Sequence, residues 1–183
     1  QLGGLPGRTV VLLDAAGLSR LFGSAQDLGE HLRDAVSKLS PGDTNPRIAL
    51  ASTQTAATLL ALGTPGLTVV MPGKEAVALA SLSVSVLDQF EKLSASAHHD
   101  NTPGGLRRDA GPEVSAGGWH HPRGTHQASR GKARASDNRM LEVLSKWGIR
   151  TLGALSALAG PDVHERLGER GAVWQSLARG LDA

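Results

Sequence analysis

The residue types that best fit a chemical task stand in the run Gly148-Ile149-Arg150-Thr151. A glycine leaves nearby backbone N–H groups unobstructed, and a helix that begins just after such a turn offers an anion the positive end of its dipole. Ile149 can fill a core position, Arg150 can reach a phosphate, and Thr151 can cap the following helix. These four residues therefore predict a contact with a nucleic-acid backbone.

A purely structural interpretation fits the same residues. Gly148 can simply end one helix and Thr151 can simply cap the next, because such turns are common in helical proteins. The run from Gly168 to Gly171 is a weaker candidate of the same form, since its Glu169 would repel a phosphate.

Catalytic groups of other kinds do not assemble in the sequence. The segment Gly63 to Gly66 lacks the Lys and Ser or Thr that would complete a phosphate-binding Walker loop, and the chain has no cysteine nucleophile. Asp14 is a lone acid at the end of a predicted strand. Accepting backbone N–H bonds in the next turn is favoured for it over a role as a residual metal ligand. We predict no catalytic residue, no metal site and no cofactor.

Histidines crowd the middle of the chain, at positions 98, 99, 120, 121 and 126. Imidazole binds zinc and copper, but a structural zinc site usually needs cysteine, or histidine at regular spacing on ordered elements. In this Gly-rich and Pro-rich context, a solvated loop is favoured over a metal site. Arg107-Arg108 and the run 123–134 could touch nucleic acid without specificity, but a solvated linker is again favoured.

Composition limits the remaining function classes. A chain of 183 residues with 40% hydrophobic content can bury one core or two small ones, and its formal net charge of +2 leaves nucleic-acid affinity to local placement. No apolar run reaches the roughly 20 residues of a membrane helix, so we expect no membrane association and a cytoplasmic protein. With two Phe, three Trp and no Tyr, a platform of several stacked aromatic residues is not expected.

Hydrophobic periodicity predicts three regions. Residues 1–93 alternate short strands with helices, residues 94–137 have almost no large apolar residues and read as a disordered insertion, and residues 138–183 repeat short helices joined by hairpins. In the first region, Ser24 and Asp27 are spaced as a capping box. The apolar residues Leu28, Leu32, Ala35, Val36 and Leu39 are spaced as the buried stripe of the helix that follows.

Three segments, in order, resemble the Y-family translesion DNA polymerases. The run from Val10 to Gly23 resembles the second palm strand, the run from Arg47 to Ala57 resembles the next palm strand and helix, and the run from Trp147 to Leu155 resembles a thumb hairpin. The resemblance implies an α+β fold, with a partial ferredoxin-like palm at 1–93 and a small all-helical helix-hairpin-helix thumb at 138–183. It also implies that the palm and little-finger domains extend beyond this sequence.

The resemblance further implies that catalysis is lost. Thr9 and Val10 stand where active members carry an Asp-Glu pair, and a threonine and a valine cannot clamp the two metal ions of phosphoryl transfer. The pattern is most similar to the catalytically defective, polymerase-like subunit of the bacterial mutasome. That similarity implies association with the nucleoid, with DNA backbone, an active translesion polymerase and the sliding clamp as partners.

Two alternatives remain open at this point. One is an active Y-family polymerase whose metal ligands lie outside this sequence, and the other is a simple helix-hairpin-helix module for DNA binding or interaction. One departure from the family bears on DNA binding, because residues 86–91 stand where active members carry a first Gly-Ile-Gly hairpin. We therefore expect weak, partner-dependent binding. No clear clamp-binding peptide is visible beyond the distant likeness of Asp88-Gln89-Phe90.

Overall fold

Among the described residues, helices and short strands alternate up to residue 99, and all the elements from residue 139 onwards are helices. The computed structural model describes residues 2–5, 8–39, 46–99 and 139–182. The strands are β1 (Leu2–Leu5), β2 (Arg8–Val10), β3 (Ile48–Leu50) and β4 (Leu67–Val69). The helices are α1 (Ser19–Phe22), α2 (Ala25–Leu39), α3 (Gln54–Gly63), α4 (Glu75–Leu79), α5 (Ser85–His99), α6 (139–146), α7 (Leu152–Ser156) and α8 (Gly160–Ala178). This mixture agrees with the predicted α+β class.

The strands form two small sheets. β1 pairs with β2 antiparallel, and β3 pairs with β4 parallel, with Ile48 opposite Leu67 and Leu50 opposite Val69. Helix α3 is the crossover between the two parallel strands. No helix within the described ranges is long and apolar enough to cross a membrane.

The capping box predicted at the start of α2 is confirmed, and α3 also begins with a side-chain cap. The backbone N–H of Ser24 donates to an Asp27 carboxylate oxygen at 2.9 Å, and the N–H of Asp27 donates back to the Ser24 hydroxyl at 3.2 Å. At α3, the Thr53 hydroxyl accepts from the N–H of Ala56 at 3.2 Å. Each cap satisfies an N–H group that has no partner within its own helix.

The buried stripe predicted for α2 is only partly present. Leu28 is buried, whereas Leu32 and Val36 are half-buried, Ala35 is exposed and Leu39 is 83% exposed. The 15-residue helix spans roughly 22 Å, whereas the three-residue strands that pack against it span roughly 10 Å. The sheet is therefore too short to cover the second half of the helix.

One hydrophobic core joins the two halves of the described chain. Leu59 and Leu87 from the first half pack in the same buried cluster as Leu144, Leu155 and Trp174 from the second half. Helix α5 runs to His99, past the predicted start of the insertion at residue 94. Its last turns thus form a helix where a disordered segment was expected, and the remaining residues of that segment, 100–137, lie outside the described residues.

Polar contacts fix α8 against α5. The Trp174 indole N–H donates to a Glu91 carboxylate oxygen at 2.6 Å, and the Arg170 guanidinium forms an ion pair with the other oxygen of the same carboxylate. Arg170 also lies over the Trp174 ring, 5.5 Å from its centroid. Because Trp174 is fully buried, the carboxylate satisfies an indole N–H that would otherwise lack a partner.

The segment after α8 folds back onto the start of α3. The Asp182 carboxylate accepts from the N–H of Thr55 at 2.9 Å, and the Thr53 hydroxyl donates to the carbonyl of Gly180 at 2.7 Å. Gly180 has a φ of +77°, and an added Cβ would lie 2.9 Å from the Cβ of Glu75. The packing of this segment against α3 therefore requires a glycine at position 180.

We expect Gly153→Ala to destabilise the fold by about 1–3 kcal/mol, the usual cost of overpacking. A methyl group at this position would lie 2.9 Å from the carbonyl oxygen of Ala80 and 3.1 Å from its Cα. That backbone cannot retreat without breaking the bond from the Gly153 N–H to the Ala80 carbonyl, which is 3.0 Å long. Urea unfolding measures the effect.

Gly160→Ala is the matched control for this substitution. Its added methyl would have only the Gln175 side-chain oxygen nearby, at 3.6 Å, which is an ordinary contact. Its stability should stay within about 0.5 kcal/mol of the wild type. Equal stability of Gly153→Ala and Gly160→Ala would contradict the tight backbone approach.

A second prediction concerns Glu75, which is buried and accepts a hydrogen bond from the Ser52 hydroxyl. That bond, followed by backbone hydrogen bonds, lowers the pKa of Glu75 from its ordinary value of 4.5. Its contribution to stability is therefore present above pH 4.5 and is lost as the pH falls through the lower pKa of the folded state. We expect Ser52→Ala to lower the melting temperature at pH 7, with a difference from the wild type that shrinks towards pH 3.

The pH dependence of that difference is the informative quantity, because other carboxylates contribute equally to both proteins. In a Glu75→Gln background, Ser52→Ala should give a difference in melting temperature that does not change with pH. A constant difference in the wild-type background would show that Ser52 does not act through the charge of Glu75.

Candidate nucleic-acid interface

The turn between α6 and α7 has the backbone that its sequence predicts. Gly148 has a φ of +75°, in the left-handed region that favours glycine. Its N–H donates to the carbonyl of Ser145 at 3.0 Å, and the N–H of Ile149 donates to that of Leu144 at 2.9 Å. No atom lies within 4 Å of the position that a Gly148 Cβ would take. The glycine thus closes α6 and leaves open space at the surface.

The next three residues divide between core and solvent. Ile149 is 7% exposed and belongs to the hydrophobic core, whereas Arg150 is exposed. The Thr151 hydroxyl accepts from the N–H of Ala154 at 3.2 Å and so caps α7. The structure places Gly148 and Thr151 in the roles that the structural interpretation gave them. It also places Ile149 in the core, as the phosphate-contact interpretation expected, and leaves the guanidinium of Arg150 at the surface.

The N–H groups at the start of α7 already have partners. The N–H of Leu152 donates to the carbonyl of Leu82 at 2.8 Å, that of Gly153 to the carbonyl of Ala80 at 3.0 Å, and that of Ala154 to Thr151. These groups therefore cannot bind a phosphate. The sequence-based expectation that backbone N–H groups at this helix start would contact one is wrong. A contact with an anion at this hairpin has to come from side chains.

The segment that receives these bonds runs antiparallel to the hairpin. Ser83 pairs with Thr151 in an isolated bridge, and the N–H of Val84 donates to the carbonyl of Arg150 at 3.0 Å. The carbonyl of Arg150 is thus fixed while its side chain faces solvent. This pairing brings the start of α5 beside the turn, although 67 residues separate Ser83 from Arg150 in the sequence.

A shallow pocket of about 280 Å³ lies where the two segments meet. The buried residues of its lining are apolar, and three exposed serines form its rim. The lining residues are Ser83, Val84, Ser85, Leu141, Ser145, Ile149 and Arg150. The hydroxyls of Ser83 and Ser85 are 2.9 Å apart, and the N–H of Ser85 donates to the Ser83 hydroxyl at 3.3 Å. Serine hydroxyls and a guanidinium can all donate to phosphate oxygens without reading sequence.

The second candidate hairpin has a different role. Gly168 interrupts α8 with a φ of +70°, but the chain remains helical on both sides of it. Arg170 pairs with Glu91 and lies over Trp174, so its guanidinium serves the contact between α8 and α5. The structure therefore uses this arginine for packing.

The structure also gives the positions of other residues that the sequence singled out as possible functional groups. The Asp14 carboxylate accepts from the N–H of Ala16 at 2.8 Å, which confirms the structural role expected for it. Gln89 and Phe90, from the distant likeness to a clamp-binding peptide, are half-buried within α5. Residues 139–182 and the other described ranges contain no group of three or more His, Asp or Glu side chains that could hold a metal ion.

The histidines and arginines of the insertion are mostly outside these ranges. His98 and His99 belong to α5, whereas residues 107–108 and 120–134 are not among the residues that the structure describes.

Sequence reasoning missed the serines of the pocket and the pairing of Trp147 with Arg166. The Arg166 guanidinium lies 5.8 Å from the centroid of the Trp147 ring. Serines at positions 83 and 85 flank the start of α5, but their approach to Ser145 depends on contacts between distant segments. The signal that the sequence offered for Ser83 and Ser85 was their position at the start of a helix.

Comparisons of the chain with protein-family models, curated proteins and solved structures gave no match.

Proposed function

We propose that this chain is a non-catalytic homologue of Y-family DNA polymerases that acts in translesion synthesis and damage-induced mutagenesis. In this role it touches the DNA backbone through the hairpin and recruits an active translesion polymerase and the sliding clamp. The observation that carries the proposal is the exposed Arg150 beside a hydroxyl-rimmed pocket, on a hairpin anchored by the buried Ile149. The choice of the polymerase and the clamp as partners rests on the family resemblance.

Side-chain chemistry supports a backbone contact without sequence reading. The guanidinium of Arg150 offers N–H groups in a fixed fork that matches a phosphate. Of the three serines that line the pocket, Ser145 and one member of the hydrogen-bonded pair Ser83 and Ser85 can donate a hydroxyl proton to the remaining oxygens. The site has no ring or amide that would recognise a base edge. Such contacts position a protein on DNA and carry no sequence information.

The small number of cations supports dependence on a partner. The whole chain carries a formal net charge of only +2, and among the described residues Arg150 is the one cation that lines the pocket. Affinity from phosphate contacts rises with the number of phosphates neutralised, so a site of this size should bind weakly alone. A subunit held at the primer end by a polymerase and a clamp does not need further phosphate contacts of its own.

The residues at the metal positions of the resemblance support the absence of catalysis. Thr9 and Val10 bring no carboxylate, Val10 is half-buried, and the Asp14 carboxylate is engaged with the N–H of Ala16. A pair of divalent ions needs clustered carboxylates to stay in place.

We expect no primer extension by the purified full-length protein with Mg²⁺ or Mn²⁺ on a templated substrate. An active translesion polymerase in a parallel reaction is the positive control. The double variant Thr9→Asp and Val10→Glu should also be inactive if the other metal-binding aspartate of the family is missing. Reproducible, template-directed nucleotide addition by the wild type would refute the non-catalytic assignment.

We expect Arg150→Glu to weaken binding to unrelated duplex sequences by a similar factor, equivalent to about 1–2 kcal/mol. The substitution replaces an attractive phosphate contact with a repulsive one, so the dependence of log K on log salt should shrink by about one phosphate's share. Fluorescence anisotropy at several salt concentrations measures both quantities. The melting temperature should hardly change, since Arg150 is exposed.

Arg20→Glu on α1 is the control for the change in net charge, because Arg20 is also exposed and lies on an element that contacts α2. It should leave affinity nearly unchanged. Equal affinity and equal salt dependence for wild type and Arg150→Glu would mean that the hairpin is only a connector, and protein assembly would then be the better account.

A further inference from the structure

An arginine and a tryptophan form a partly exposed pair next to the hairpin. Trp147, the residue before the turn glycine, keeps 42% of its surface exposed although the Arg166 guanidinium lies over its ring at 5.8 Å. Arg166 is itself exposed on α8. A large apolar ring with that much open surface is available to a ligand that can lie flat against it.

Two glycine turns leave the surroundings of this pair unobstructed. Gly148 follows Trp147 directly, and Gly168 follows Arg166 by two residues. Both have positive φ, and among the described residues neither has an atom beyond its chain neighbours within 4 Å of its missing Cβ. A chain of nucleotides can therefore approach the backbone on either side of the ring. Lys146 and Arg150, both exposed, flank Trp147 in the sequence and can meet phosphates.

We propose that the pair formed by Trp147 and Arg166 is a stacking site for one unpaired base, so that the interface favours gapped or single-stranded DNA over a continuous duplex. The inference rests on the proposed function, because it places this base beside the phosphate contact of Arg150. The indole supplies a π-face that any base can cover, and Arg166 adds a cation to the same stack.

The charges around the pair favour a nucleotide over an acidic peptide. Glu165 and Glu169 are exposed on α8 close to Arg166, and they offset the cations Lys146 and Arg150. A partner that relied on negative charge alone would gain little from such a mixed surface. A nucleotide also gains from contact between its base and the ring, which does not depend on net charge.

The scarcity of aromatic residues limits the site to a single base. Among the described residues, Trp174 is fully buried, Phe22 belongs to α1 and Phe90 is half-buried within α5. Within the described residues, the surface beside the hairpin therefore offers Trp147 alone as a ring for stacking. One exposed ring beside a phosphate contact fits the junction between a duplex and a short gap.

The test compares three fluorescein-labelled DNA probes, namely a duplex with a short gap, a single-stranded oligonucleotide and a continuous duplex. For Trp147→Ala, affinity for the gapped and single-stranded probes should fall by about tenfold, the usual order for one lost base stack, with affinity for the duplex unchanged within about twofold. Trp147→Phe keeps an aromatic face and should recover most of the lost affinity.

Tryptophan fluorescence gives an independent readout. A base stacked on Trp147 should quench part of the wild-type emission when unlabelled gapped DNA is added, and this quenching should be absent in Trp147→Phe although that variant still binds. A role in packing alone would not produce quenching that depends on DNA. Comparable melting temperatures of the three proteins exclude misfolding as the cause of lost affinity.

The outcomes separate this inference from the proposed function. If Arg150→Glu weakens binding to all three probes but Trp147→Ala weakens none, or weakens all equally, the stacking site is refuted and the backbone contact stands. If Arg150→Glu weakens binding to none of the probes, the DNA role of the hairpin itself fails. A selective loss for the gapped and single-stranded probes, with quenching by gapped DNA, is the result expected.

Discussion

The close approach of the Gly153 backbone to Ala80 is the constraint on which the hairpin depends. Two segments far apart in sequence form an antiparallel contact there, with bonds from Leu152 to Leu82, from Gly153 to Ala80 and from Val84 to Arg150. The contact needs a residue without Cβ, since any side chain at position 153 would meet the backbone of Ala80.

This one contact decides which chemistry the hairpin can perform. It fixes the turn so that Ile149 enters the core and Arg150 stays outside, but it also uses the N–H groups that a helix start normally offers to a phosphate. The same bonds that position the arginine therefore remove the backbone as a ligand. What remains for an anion is a guanidinium and a rim of hydroxyl groups.

Local signals in the sequence predicted local structure well. The Ser24 and Asp27 capping box, the Thr151 cap and the turn at Asp14 each involve residues at most three positions apart, so their geometry follows from the chain itself. Features that depend on distant neighbours were not predictable in the same way. The exposed end of α2 depends on the length of the strands beneath it, and the occupied N–H groups of α7 depend on a carbonyl at position 80.

The site shows the same division between local and distant causes. Gly148 and Thr151 could be assigned from their own neighbours, whereas the pocket exists only because the start of α5 lies beside the hairpin. Glu91 holds the part of α8 that follows Gly168, through Arg170 and the buried indole of Trp174. Arg166 lies two residues before Gly168, where the backbone leaves the helical conformation. The placement of Arg166 over Trp147 therefore depends both on the contact at Glu91 and on the backbone at Gly168, and neither cause can be read from the sequence neighbours of Trp147.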